Sequence, residues 1–161
     1  MSQTIKVGIS DLNVGRAPDV LVTFALGSCV GICLYDRVTK VAGLSHIMLP
    51  SSNASKDIRQ AYRFADTAIV ILVQKMVAAG ADRRRITAKI AGGARMFAAV
   101  SDNSLANIGQ RNVAAVKSTL MKLGIPIIAD DTGKDYGRTV YFFAEDGKMQ
   151  VKSAKKAEWV W

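Results

Sequence analysis

One histidine, two cysteines and three prolines are all that 161 residues contain of those types. Each scarcity excludes a class of protein. A structural zinc site needs about four nitrogen or sulfur ligands, so one His and two Cys predict no metal. Cys29 and Cys33 are four residues apart. On one strand, at about 3.3 Å per residue, their Cα atoms would lie roughly 13 Å apart, beyond the ~7 Å reach of a disulfide. With no disulfide framework, a reducing compartment, the cytoplasm, is expected. Aromatics make up 7% of the chain and do not interleave with basic residues, so no stacking platform for nucleic acid is predicted. The longest strictly apolar run, Ala68 to Val73, has six residues. A membrane span needs about 20, and no membrane insertion is expected. Met1 to Lys6 shows no apolar core of a secretory signal. Neither Gly-x-x-x-x-Gly-Lys-Ser/Thr nor a helix-opening Gly-x-Gly-x-x-Gly occurs, so Gly27 and Gly92-Gly93 are not read as phosphate loops and no cofactor is predicted.

What the chain has in excess is positive charge: 22 Lys and Arg against 13 Asp and Glu, a net of +9. Such a surface favours acidic partners. The basic residues are spread along the chain, densest at Arg83-Arg84-Arg85. No nucleic-acid signature accompanies them, and no nucleic-acid partner is predicted. A chain of this length buries roughly 70% of its unfolded surface without staples. No linker or repeat interrupts it, so residues 1–161 are read as a single domain.

Short apolar runs bounded by Gly, Pro or Asp predict strands at Leu21–Phe24, Val30–Tyr35, Val41–Met48, Ile86–Ala91, Ile125–Ala129, Val140–Phe143 and Met149–Val151. Glu145–Lys148 is the turn of a hairpin, and Asp130–Gly133 is read as a turn. Residues Ser51 to Lys56 are read as a loop. Ile58–Ala79 carries helical periodicity at Ala61, Phe64, Ala65, Ala68, Ile69, Leu72, Val73 and Met76, and Gly80 stops it. A second helix runs from about Gly109 to Leu123, with Asn107 as N-cap and Val113, Val116, Leu120 and Leu123 facing inward. Many strands in hairpin order with two main helices define an α/β domain, a layered sandwich of mixed sheets.

Cys29 follows the Leu26-Gly27-Ser28 turn and opens a strand. It is either a small buried apolar residue or a thiol exposed for chemistry. His46 is the single side chain whose ordinary titration lies near neutrality. A lone His in an apolar strand reads first as a core residue. However, it lies seventeen residues after Cys29, which fits one strand, a turn at Asp36–Lys40 and a return strand. An antiparallel hairpin of that length brings Cys29 and His46 together, as a nucleophile–base pair requires. Thr23, on the preceding strand, offers a hydroxyl to orient the imidazole, with Ser45 and Ser28 as weaker candidates. Cys33 shares a strand face with Cys29 and reads as core.

Three segments are specific enough to carry a resemblance. They are Thr23-Phe24-Ala25-Leu26-Gly27-Ser28-Cys29-Val30, His46-Ile47-Met48-Leu49-Pro50, and Asn107-Ile108-Gly109-Gln110-Arg111-Asn112. With Phe64–Ala68, Ala88–Phe97 and Asp131-Thr132-Gly133, they resemble the chemoreceptor glutamine deamidase family CheD over about residues 5–152. Lys134 stands where the family often has a second glycine, and Ser153–Trp161 matches nothing in it. The resemblance implies a layered α/β sandwich and conversion of receptor glutamines to glutamates, with no cofactor. It implies Cys29 as nucleophile, His46 as general acid and base, and Thr23 as the residue holding His46. Backbone N–H groups at Gly27, Ser28 and Cys29, or on the facing glycines, are candidates for the oxyanion or the substrate. The implied partners are the cytoplasmic helices of methyl-accepting chemoreceptors and, in some members, the phosphatase CheC. The alternative is a non-catalytic binding module that regulates CheC.

Overall fold

The apolar runs around Gly31 and Gly43 form the centre of the molecule. In the computed structural model, which describes residues 2–52, 58–96, 107–153 and 158–161, they become β4 (Val30–Asp36) and β5 (Val41–Ile47). These strands pair antiparallel from Val30↔Ile47 to Asp36↔Val41. Every residue of β5 is buried. A strand covered on both faces reads as a continuous apolar run, as it does here.

The remaining elements, in chain order, are β1 (Thr4–Lys6), β2 (Asp11–Arg16), β3 (Val20–Leu26), α1 (Ala65–Ala78), β6 (Thr87–Gly92), α2 (Ile108–Lys122), β7 (Ile127–Thr132), β8 (Arg138–Phe143), β9 (Met149–Lys152) and β10 (Trp159–Val160). They build two five-stranded sheets, ordered β1-β3-β8-β9-β10 and β2-β5-β4-β6-β7. Each sheet is mixed, because β1–β3 and β6–β7 pair parallel while the other pairs are antiparallel. The predicted single-domain α/β sandwich with two main helices is the fold observed.

Two cores separate three layers. One lies between the central sheet and the helices, and includes Ile32, Leu34, Ile47, Ile69, Leu72, Met76, Val116 and Leu120. The other lies between the two sheets, and includes Leu21, Leu26, Cys33, Leu44, Ala91, Val140 and Phe142. Side chains alternate along β5. Val41, Gly43, Ser45 and Ile47 therefore face the helices, and Ala42, Leu44 and His46 face the other sheet.

Several local expectations are corrected. The single helix expected over 58–79 is two pieces, a 3-10 segment at Ile58–Arg63 and then α1. Phe64 between them is extended, at φ −106° and ψ 139°. The Arg63 carbonyl accepts from both Met48 N–H and Leu49 N–H, at 2.8 and 3.1 Å. These tertiary bonds outcompete helical continuity, which periodicity alone cannot register. Asn107 makes no side-chain capping bond. The buried face of α2 is Gly109, Asn112, Val116 and Leu120, with Val113 and Leu123 only partly buried. The expected turn at 130–133 is largely strand, because β7 runs on to Thr132 beside β6. Strands β1, β2 and β10 lie outside the strands expected from the sequence. Phe97 and most of the loop expected at 51–56 lie outside the described residues.

The Arg83-Arg84-Arg85 cluster is a 3-10 turn capped by Asp82. Arg85 makes a two-pronged bond to the buried Asp36, at 2.9 Å for each pair. Arg84 pairs with Asp82 at 3.1 Å. Two of these three arginines thus have carboxylate partners, and the cluster anchors the β4–β5 turn.

Candidate active site

The turn between β3 and β4 is shaped by backbone constraints at both ends. A bulge between Thr23 and Leu26 breaks the β3–β8 register. Ala25 there adopts φ +61°, a conformation uncommon for a residue with a side chain. Gly27 N–H then bonds Ala25 O at 3.0 Å, closing a three-residue turn. Cys29 follows it, one residue before β4 begins.

The next three carbonyls are each held. Gly27 O accepts from Ala94 N–H at 2.8 Å, and Cys29 O accepts from Gly93 N–H at 2.8 Å. Ser28 O accepts from the Asn112 side-chain amide at 2.9 Å. This close approach explains the glycine pair. Gly92 has φ +107°, and a Cβ there would lie 2.3 Å from Cys29 O. The pair that could suggest a phosphate loop is the packing surface for the Cys29 turn.

His46 pairs with Gly31 across β4–β5. Cys29 is two residues from Gly31 and on the same side of the chain, which makes it a diagonal neighbour of His46. Gly31 keeps that face open: a Cβ there would lie 3.1 Å from the Leu26 side chain and 3.7 Å from the Thr23 methyl. The hairpin inferred from spacing is therefore present, and it places Cys29 and His46 on one face as diagonal neighbours, with no hydrogen bond between them. Cys29 is partly buried against the inter-sheet core, and Cys33, on the same face, is buried within it.

Thr23 reaches across from the other sheet. Its Oγ1 donates to Val7 O at 2.6 Å and lies 2.7 Å from His46 Nδ1. A hydroxyl has one hydrogen. Once that hydrogen is on Val7 O, Thr23 can only accept from the ring. Nδ1 therefore carries the imidazole hydrogen, and Nε2 is left as the lone-pair nitrogen. Nε2 is buried and has no hydrogen-bond partner among the described residues. Thr23 and His46 are both fully buried. Burial pushes the His46 pKa down to about 4, so the ring is neutral at pH 7. Burial also pushes the Cys29 thiol up, opposed by its own backbone N–H, which favours the thiolate. Ser45, a weaker candidate partner for the ring, faces the helices instead, and its buried hydroxyl has no partner among the described residues. Sequence reasoning assigns Asn112 no role. Its signal was a polar residue in the stripe otherwise formed by Gly109, Val116 and Leu120.

Among the described residues, no group of three or more His, Cys, Asp or Glu side chains is placed to hold a metal ion. Among them, too, no helix is long and apolar enough to cross a membrane.

A buried imidazole with one nitrogen fixed and the other free, beside a cysteine at a held turn, can take a proton from a thiol and return it. Comparison with known proteins gives the family. The family described as CheD, chemotactic sensory transduction, matches residues 48–153. A probable chemoreceptor glutamine deamidase CheD of Caldanaerobacter subterraneus subsp. tengcongensis is 51% identical over 94% of this chain and 94% of its own length. One from Lachnoclostridium phytofermentans is 48% identical over 98% of each chain. The chemoreceptor glutamine deamidase CheD of Halalkalibacterium halodurans is 47% identical, again over 98% of each. The chain belongs to the CheD family.

Proposed function

We propose that this chain is a protein-glutamine deamidase, converting selected glutamine side chains of methyl-accepting chemoreceptors to glutamate in the cytoplasm. The observation that carries the reading is the His46 ring, fixed by Thr23 with a free, buried Nε2. In the reaction, Nε2 takes the proton of Cys29 Sγ. The thiolate attacks the glutamine side-chain carbonyl carbon, and the carbonyl oxygen becomes an oxyanion. His46 returns the proton to the departing nitrogen, and ammonia leaves a thioester on Cys29. Water, deprotonated by His46, attacks the thioester, and Cys29 leaves with the proton from His46.

The oxyanion donors follow from the peptide planes. In a trans peptide the C=O and the next N–H point in opposite directions. With Gly27 O and Ser28 O tied toward Ala94 and Asn112, the N–H groups of Ser28 and Cys29 face away from them. The Cys29 N–H lies on the side of its own Sγ, where it favours the thiolate. Two such donors are what a tetrahedral intermediate requires. Phe24 and Met48, exposed by 47% and 42% at strand ends flanking this turn, supply apolar surface for the residues beside the substrate glutamine. The net charge of +9 suits an acidic receptor surface.

A buried, unpaired ring nitrogen is costly. That cost weighs against the alternative, a non-catalytic module acting on CheC, although CheC could still bind another surface of the enzyme. The test is incubation with the cytoplasmic part of a chemoreceptor, following ammonia release and mapping glutamine-to-glutamate conversion by mass spectrometry. The wild type should convert particular glutamines, and Cys29→Ala should convert none. Conversion that survives Cys29→Ala would refute the mechanism. No conversion by the wild type would leave the binding-module reading.

A further inference from the structure

The buried stripe of α2 contains one polar side chain, Asn112, fully inaccessible to solvent. Its Nδ2 donates one hydrogen to Ser28 O at 2.9 Å and the other to Met48 O at 3.0 Å. Ser28 belongs to the turn that presents Cys29, and Met48 follows the strand that carries His46. The β4–β5 ladder ends at Val30↔Ile47, so Cys29 and Met48 lie just past the last backbone pair. We propose that Asn112 is a positioning residue, a clamp that takes over where the ladder stops and aims the Cys29 N–H at the oxyanion. The inference rests on the deamidase reading above.

Asn112 Oδ1 is buried and has no partner among the described residues. Turning the amide over would put that oxygen against two carbonyls, so both hydrogens must face Ser28 and Met48. An apolar residue would complete the stripe without an orphaned oxygen. What it could not supply is two donors to two carbonyls on different segments. Holding Ser28 O fixes the plane of the Ser28–Cys29 peptide, and with it the direction of the Cys29 N–H. Gly109, one turn earlier, lets α2 come this near: a Cβ there would lie 2.3 Å from Ala94 O.

The test compares full-length wild type, Asn112→Asp and Asn112→Ala. Asp keeps the shape and replaces the donors with acceptors. Two rates are read: deamidation of a receptor cytoplasmic fragment, and alkylation of Cys29 by iodoacetamide, which needs the thiolate but forms no oxyanion. Removing an oxyanion donor outright costs about 10²–10³ in kcat, so misaiming one should cost about tenfold or more. KM should stay within about threefold, and alkylation should fall far less than kcat, because it feels the Cys29 N–H only through the thiolate and forms no oxyanion. A folded variant with wild-type kcat overturns the proposal. So does alkylation falling in step with kcat, which would place the defect at the thiol itself. If neither variant folds, including the isosteric Asp, Asn112 is a residue of stability and the assignment fails. A wild type that releases no ammonia refutes the deamidase reading, and this control is read before any variant.

Discussion

Thr23→Val removes one oxygen and adds one methyl, in a position with no exposed surface. Two buried groups then lose their partner: the Val7 carbonyl and the His46 Nδ1–H. A buried polar group left unsatisfied costs about 1–3 kcal/mol. The pair should therefore cost roughly 2–4 kcal/mol of stability, since the two share one site and their costs overlap. For a chain of this size that lowers Tm by about 5–15 °C. The chemical effect is separate. Without an acceptor at Nδ1, the ring gains by moving its hydrogen to Nε2, the nitrogen needed as a base. If the lost preference equals one buried hydrogen bond of 1–3 kcal/mol, deamidation should fall by about 5–150-fold. The assay is kcat and KM on a receptor fragment at a temperature where the variant is fully folded, with Thr23→Ser as control. Serine keeps the hydroxyl and should keep most of the rate. Folded Thr23→Val with wild-type kcat would falsify the assignment of the ring hydrogen. A Thr23→Ser variant as slow as Thr23→Val would mean that the methyl packing near Gly31 matters and the hydroxyl does not.

Further outcomes follow from the same geometry. Stability should fall on acidification. His46 has a folded pKa of about 4 against an ordinary 6.5, so the unfolded chain binds the extra proton first, and about 3 kcal/mol is lost between those values. The Arg85 guanidinium, with the backbone N–H groups of Asp82 and Val38, holds the Asp36 carboxyl well below its usual range. Its contribution is lost at still lower pH. A Tm that stays flat from pH 7 to pH 4 would contradict the first, and one that stays flat on further acidification below pH 4 would contradict the second. Gly92→Ala should destabilise the fold by about 2 kcal/mol or more, from a positive φ and the clash with Cys29 O, and slow deamidation as well; an unaffected melting curve in differential scanning calorimetry would count against the packing role. Alkylation of the native protein should modify Cys29 and leave Cys33, buried and pushed far up by burial; a native Cys29–Cys33 disulfide found by mass mapping would contradict this.

The site was legible where it depended on local signals. The Gly27-Ser28 turn, the strand run from Val30, the turn after Asp36 and the seventeen-residue spacing to His46 all lie in one hairpin. The observed register, with Gly31 opposite His46, is what puts Cys29 and His46 on one face of it. What could not be read depends on contacts between distant segments. The break at Phe64 comes from Met48 and Leu49 N–H groups bonding Arg63 O. The role of Gly92 comes from the carbonyl of Cys29, 63 positions earlier in the chain. Strand β1 is three residues long and carries too little pattern to distinguish it from a loop. Strand β2 buries only Leu12 and Gly15, out of step with a two-residue alternation. The tail is held by Trp159 and Trp161 indole N–H groups on Asp131, the second at 2.9 Å. Asp131 also pairs with the buried Arg138 at 3.2 Å. The carboxylate sits in a segment whose sequence suggests a turn, and nothing local links it to two tryptophans near residue 160.

The central claim is that His46 Nε2 serves as base to Cys29. The most direct measurement is the rate of Cys29 alkylation against pH, in folded wild type and folded His46→Ala. If the two residues are coupled, the variant should react more slowly near neutrality, and its midpoint should lie at higher pH. Superimposable profiles would contradict the account, because a Cys29 thiol indifferent to the loss of the imidazole has no base in His46.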